Sequence, residues 1–178
     1  MGDLENGPNG IAKRYVPERG LASIRAELYQ PEVAAFLESA FMELFEFTNS
    51  HPGLRSHGTT PDAPTYALYH GTFGFDARTV VEACVVLDGD VLAGDLESEG
   101  DIDIRIEPAH WEAYVPLTRR RLALPALTAA YDELGRWVSL NARMLTNIPP
   151  REVYVADVMV AYEDDHVCDV AFPYEPRR

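Results

Sequence analysis

Hydrophobic positions along the chain switch between two periods. Behind Pro31, the residues Val33, Leu37, Ala40, Phe41, Leu44 and Thr48 keep helical spacing, with Glu32, Ser39, Glu43 and Glu46 on the other side. That pattern predicts an amphipathic helix laid on a core, and Pro31 suits its start because a missing N–H costs nothing there. A second stripe of Leu127, Tyr131, Leu134 and Val138 predicts another helix from about Pro125 to Asn141. Alternating or β-branched runs predict strands over 21–28, 65–73, 79–87, 101–106, 111–118, 151–160 and 167–174. Pro108, the Pro149-Pro150 pair and the acidic turn Glu163-Asp164-Asp165 separate them. Residues 49–64 form a loop in this scheme, 88–100 an acidic connection, and 1–15 a flexible tail ahead of a domain over 16–176.

The order strand, helix, strand, strand occurs twice, in repeats of about 16–98 and 99–176. Residue types recur with it. Phe41-Met42-Glu43-Leu44-Phe45-Glu46-Phe47 aligns with Tyr131-Asp132-Glu133-Leu134-Gly135-Arg136-Trp137, Tyr69 with Tyr154, and Glu82 with Asp169. An internal duplication follows, giving an α+β fold of strand-helix-strand-strand units about a pseudo-twofold axis. Two such small units must share a core, and the cleft where they meet is a favoured place for a small-molecule pocket.

Composition narrows the function. A length of 178 residues suffices for one sizeable domain. The net charge of −14 opposes phosphate backbones and anionic membranes, and the one basic cluster, Arg119-Arg120-Arg121, is short. No nucleic-acid or membrane partner is therefore expected. The polar N-terminus has no apolar signal core, no run reaches transmembrane length, and Cys84 and Cys168 sit in apolar runs as buried reduced thiols. Together these features predict a cytoplasmic protein.

Candidate chemistry concentrates on Arg151-Glu152-Val153-Tyr154. Alternation places Glu152 and Tyr154 on one face of the strand, along with Ala156 and Val158. They form either an edge glutamate beside a core tyrosine, or the single charge and a phenol of an apolar pocket. His51, His57, His70, His110 and His166 lack metal-ligand spacing. Neither a Ser/His/Asp arrangement nor a phosphate or dinucleotide loop is present, so no metal or cofactor is expected. Gly71-Thr72-Phe73-Gly74 is a turn signal.

Four blocks taken together resemble the GyrI-like small-molecule-binding domain, which also serves as the effector-binding domain of MerR- and AraC-type multidrug regulators. They are Thr65-Tyr66-Ala67-Leu68-Tyr69-His70-Gly71, Val81-Glu82-Ala83-Cys84-Val85, the 111–137 strand-helix block, and Arg151-Glu152-Val153-Tyr154. The resemblance covers about 16–176 and implies a cleft for bulky, lipophilic, aromatic and often cationic molecules. Its Glu-x-Tyr pair matches Glu152 and Tyr154, and family members carry a glutamate matching Glu82. Val86 replaces a frequent proline, and Asp169 replaces a frequent glutamate. A regulator would carry a DNA-binding domain before position 16, so a stand-alone binding domain is expected.

Under this resemblance Glu152, Tyr154, Tyr69 and Glu82 are candidate ligand contacts, with Trp111, Tyr114, Phe41 and Trp137 as further cleft liners. Trp111 and Tyr114 stand an odd number of positions apart and cannot both face one cleft. Trp137 and Phe41 also suit core packing. The function implied is sequestration of such compounds in detoxification. An alternative is hydrolysis of cyclopropane-bearing DNA-alkylating natural products, with Glu152 as base and Tyr154 as proton partner, or Glu82 as base. The acidic charge and the family's name also raise a third function, binding of a protein such as gyrase.

Overall fold

In the computed structural model, residues 10–51, 54, 59–71, 76–87 and 98–177 are described. The start of the expected tail, His57, Thr72 to Gly74 and positions 88–97 of the acidic connection lie outside them. The elements run β1 (Ala12–Val16), β2 (Arg19–Leu28), α1 (Val33–Ser50), β3 (Thr65–Tyr69), β4 (Thr79–Leu87), β5 (Asp103–Glu107), β6 (His110–Thr118), α2 (Ala126–Asn141), β7 (Ala142–Met144), β8 (Arg151–Tyr154) and β9 (His166–Pro176). Short 3-10 turns, Gln30–Glu32 and Arg119–Leu122, lead toward the two helices.

All strands join one antiparallel sheet in the order β1-β6-β9-β8-β3-β4-β2-β5, with β7 added on β9. The duplication is written in its registers. Arg19 faces Glu107 and Ser23 faces Asp103 between β2 and β5, while His110 faces Val16 and Tyr114 faces Ala12 between β6 and β1. These are the same rungs with the repeats interchanged. The first strand of each repeat has therefore crossed over to the other: β1 pairs with β6, and β5 with β2. At the junction β3 pairs with β8, and Ala67 faces Glu152.

Strand alternation divides the side chains into two layers. One face packs against the helices. Ala67, Val81, Ala83 and Val85 meet Leu37, Ala40, Leu44 and Phe47 of α1. Ala113, Val115, Leu117, Val170 and Phe172 meet Ala130, Leu134 and Val138 of α2. The other face carries Leu21, Tyr66, Leu68, Cys84, Val153 and Ala171, together with buried ion pairs.

On that second face Arg151 of β8, 0% exposed, reaches Glu107 of β5 at 2.7 Å. Those strands are four places apart in the sheet order, about 19 Å if flat at ordinary strand spacing. A side chain cannot span that distance, so the sheet curls into a half-barrel with this polar layer inside.

Three expectations need correction. Residues 12–16 are the paired strand β1 and not flexible tail, because Ala12 and Val16 are buried and their backbone bonds to β6. The strand expected over 151–160 stops at Tyr154. There the Asp157 carboxylate accepts the Met159 N–H at 2.8 Å, and the Asp157 carbonyl accepts from Ala161 at 3.1 Å, turning the chain outward. Met159, at 83% exposure, therefore faces solvent. The strand expected over 65–73 ends at Tyr69.

Candidate functional site

Glu152 occupies the centre of the sheet on the helix-facing side, where β8 meets β3. Its side chain is buried, and its hydrogen-bond partners come from both repeats. The Tyr154 hydroxyl donates to Oε2 at 2.5 Å, and the Tyr131 hydroxyl, from α2, donates to Oε1 at 3.1 Å. Tyr69 of β3 also donates to this carboxylate. An ionised carboxylate accepts hydrogen bonds only, so three phenols supply what water would otherwise provide.

Ring contacts close the surround. Phe41 of α1 meets Tyr154 edge-on, with centroids 6.4 Å apart and planes at 76°. Tyr131 of α2 meets Tyr69 at 6.3 Å and 82°, and Tyr131 also packs on Phe172 at 5.9 Å. Such edge-to-face pairs are a favoured aromatic geometry.

Burial pushes the Glu152 carboxyl above its ordinary value, and the hydrogen bonds from Tyr154, Tyr69 and Tyr131 only partly offset it. Burial, followed by the nearby Glu152 charge, pushes the Tyr69, Tyr131 and Tyr154 hydroxyls well up, so all three remain protonated donors at neutral pH. The result is a buried carboxylate ringed by phenol hydroxyls and aromatic side chains. Chemically, such a group attracts a desolvated cation or takes a proton from a nearby water.

Four of the expected residues come together here: Glu152, Tyr154, Tyr69 and Phe41. Tyr131 was absent from the candidate set. Its alignment with Phe41 was the signal that would have found it.

The other candidates sit elsewhere. Glu82 does not join Glu152, because it is the even-numbered neighbour of Val81 and Ala83 and points into the opposite layer. There Arg105 holds it at 2.7 Å, His70 at 2.8 Å and Arg25 at 3.2 Å. Burial opposes its charge, but the His70 hydrogen bond, Arg105 and Ser23 hold its carboxyl far below the usual range. It is an ion-paired anion of that layer, outside the surround of Glu152. Asp169, its counterpart in the second repeat, is held in the same layer by Arg14 and His166, each at 2.6 Å.

Tyr114 also lies in that layer, under the Arg14 guanidinium at 4.2 Å. Of the Trp111 and Tyr114 pair, Trp111 takes the helix side, but it is 41% exposed and packs edge-on against Tyr15 at 5.5 Å. Trp137, nearly two turns beyond Tyr131 on α2, packs against Tyr174 at 5.7 Å as core. Among the described residues, no cluster of His, Cys, Asp and Glu is arranged to hold a metal ion, and no helix is long and apolar enough to cross a membrane.

No family model and no curated protein matches the chain. Solved structures do. The C-terminal domain of EcmrR superposes with a TM-score of 0.67 at 23% identity, over 94% of this chain and 98% of that domain. EcmrR bound to DNA gives 0.72 at 22% identity over 94% of this chain, which spans 57% of the longer EcmrR chain. SAV2435 bound to tetraphenylphosphonium gives 0.57 at 12% identity over 92% of each chain. A hydrolase from Listeria innocua gives 0.56 at 9% identity, over 93% of this chain and 91% of that one.

Proposed function

The chain has the GyrI-like fold, and on that footing we propose that it binds bulky lipophilic aromatic cations, acting in detoxification by sequestration. The observation that carries this reading is the setting of Glu152: a buried carboxylate that accepts hydrogen bonds from three phenols, among rings from both helices. A cation that sheds its water on entry regains Coulomb attraction in a low dielectric. Each ring face it meets adds about 0.5–2 kcal/mol. Aromatic walls make few directional demands, which suits a broad range of ligands. SAV2435, a fold relative, is bound to a cation of this kind.

Fluorescence titration of a rhodamine-type cationic dye against the wild-type protein and Glu152→Gln tests the proposal. Tight binding to the wild type and a loss of at least about tenfold in the variant, equal to about 1.4 kcal/mol, support it. Equal affinities remove Glu152 from the binding role.

A second reading, hydrolysis of cyclopropane-bearing DNA-alkylating compounds, is favoured by one feature: a carboxyl raised by burial beside a phenol 2.5 Å away. In that chemistry Glu152 takes a proton from water as the water oxygen bonds to a ring carbon. The ring C–C bond breaks in the same step, Tyr154 delivers a proton to the electron pair released, and the proton taken by Glu152 then passes to the Tyr154 phenolate across their hydrogen bond. Mass spectrometry after incubation with such a compound separates the two: ring-opened product supports hydrolysis, and an unreacted stoichiometric complex supports sequestration.

A further inference from the structure

The surround of Glu152 obeys the duplication in detail. Tyr69 and Tyr154 hold corresponding places in the two repeats, as do Phe41 and Tyr131. Each helix ring crosses the axis to the tyrosine of the other repeat, and the two contacts match: 6.4 Å and 76° for Phe41 with Tyr154, 6.3 Å and 82° for Tyr131 with Tyr69.

The axis itself runs through the rung where Ala67 faces Glu152. On either side of that rung, Thr65 faces Tyr154 and the Tyr69 N–H reaches the Pro150 carbonyl at 3.1 Å, two corresponding positions. Among the described residues, the one charge of the site therefore stands at its centre, with an aromatic pair on each flank. One carboxylate is present because the corresponding position is Ala67, a methyl group with no charge to offer a second cation.

Resting on the cation-binding reading above, we propose that the site selects monocations whose charge is central, with aryl arms on two sides, over equally apolar monocations whose charge is terminal. A central charge sits over Glu152 while both flanks are filled. A terminal charge placed over Glu152 leaves one aromatic pair without a partner, or fills both and draws the charge away from the carboxylate.

Isothermal titration with tetraphenylphosphonium and with a phenylalkyl trimethylammonium of equal carbon number tests this. The expected result is an affinity for the tetraaryl cation at least about tenfold higher. Phe41→Leu and Tyr131→Leu, which keep apolar volume, are expected to weaken the tetraaryl cation by factors within about threefold of each other. Tyr131→Phe separates the loss of its hydroxyl from the loss of its ring, and thermal melts confirm that each variant is folded. Equal affinities for the two cations, or a loss confined to one helix, overturn the proposal while leaving cation binding in place. Binding of neither cation overturns the reading on which it rests.

Discussion

Ala67 and Glu152 face each other across the β3–β8 ladder and are also each other's counterparts in the duplication. Symmetry prepares two equal places at the axis, and only one is charged. A pair of carboxylates in direct cross-strand register would repel, and one would be forced to take a proton. A single carboxylate keeps an ionised centre within reach of phenols from both repeats. The chemical asymmetry at the axis thus rests on this rung, and the hydroxyl that distinguishes Tyr131 from Phe41 adds a second difference.

Cation binding should follow the ionisation of Glu152. Because burial raises its carboxyl, affinity for a permanent cation should fall as pH drops, beginning above the ordinary glutamate value of about 4.3. Glu152→Gln should show weak, pH-independent binding over the same range. Dye titrations from neutral pH downward check this.

Tyr154→Phe removes the 2.5 Å hydrogen bond to the carboxylate. That donor favours the charged form, so its loss should raise the carboxyl further and move the midpoint of the binding profile to higher pH. A downward shift, or none, would detach Tyr154 from control of the charge.

Stability should show the reverse sign. A carboxyl whose folded value lies above its unfolded value adds stability below the unfolded value and loses it as pH rises through the folded one. Glu152 is therefore a cost at neutral pH, and Glu152→Gln should melt at or above the wild-type temperature at pH 7. The advantage should shrink in acid. Glu112, buried beside His110 and Arg14, behaves oppositely. Burial raises its carboxyl but those partners prevail and hold it at about 2, so its stabilisation fades as pH falls from the unfolded value toward that point. Thermal melts across pH distinguish the two.

Arg151 tests the polar layer. It is fully buried and paired with Glu107, so Arg151→Leu leaves that carboxylate inside the curled sheet with only the longer Arg19 contact, at 3.7 Å, among the described residues. The expected loss is about 3–5 kcal/mol, part of which Glu107→Leu in the same chain should restore. Denaturant unfolding of the single and double variants measures both.

Leu44 and Leu134 are counterparts, each 0% exposed beneath its helix. Leu→Ala at either should cost about 2–5 kcal/mol, and the two losses should be similar if the halves pack alike. Chemical denaturation reads the comparison directly.

Periodicity made the helices legible, since Val33–Ser50 and Ala126–Asn141 each bury one stripe against the sheet. The duplication was legible too, because corresponding positions carry corresponding chemistry. What escaped was pairing across distance. Nothing local in Ala12–Val16 says that its partner is β6, nor that Asp103–Glu107 belongs beside β2.

The layer that holds Glu82 is hidden for a related reason. A buried glutamate in a strand reads alike on either face until the arginines around it are known, and Arg25 and Arg105 come from two other strands. Tyr131 reads as part of a helical stripe, which it is, and its hydroxyl also reaches Glu152.

The exchange of β1 and β5 also sets an order of events during synthesis. β1 is made before the other described strands, yet its ladder partner β6 follows only after β2, α1, β3, β4 and β5 have emerged. Until then β1 lacks the ladder partner it has in the fold, and an unpaired strand of this kind is open to pairing with other chains.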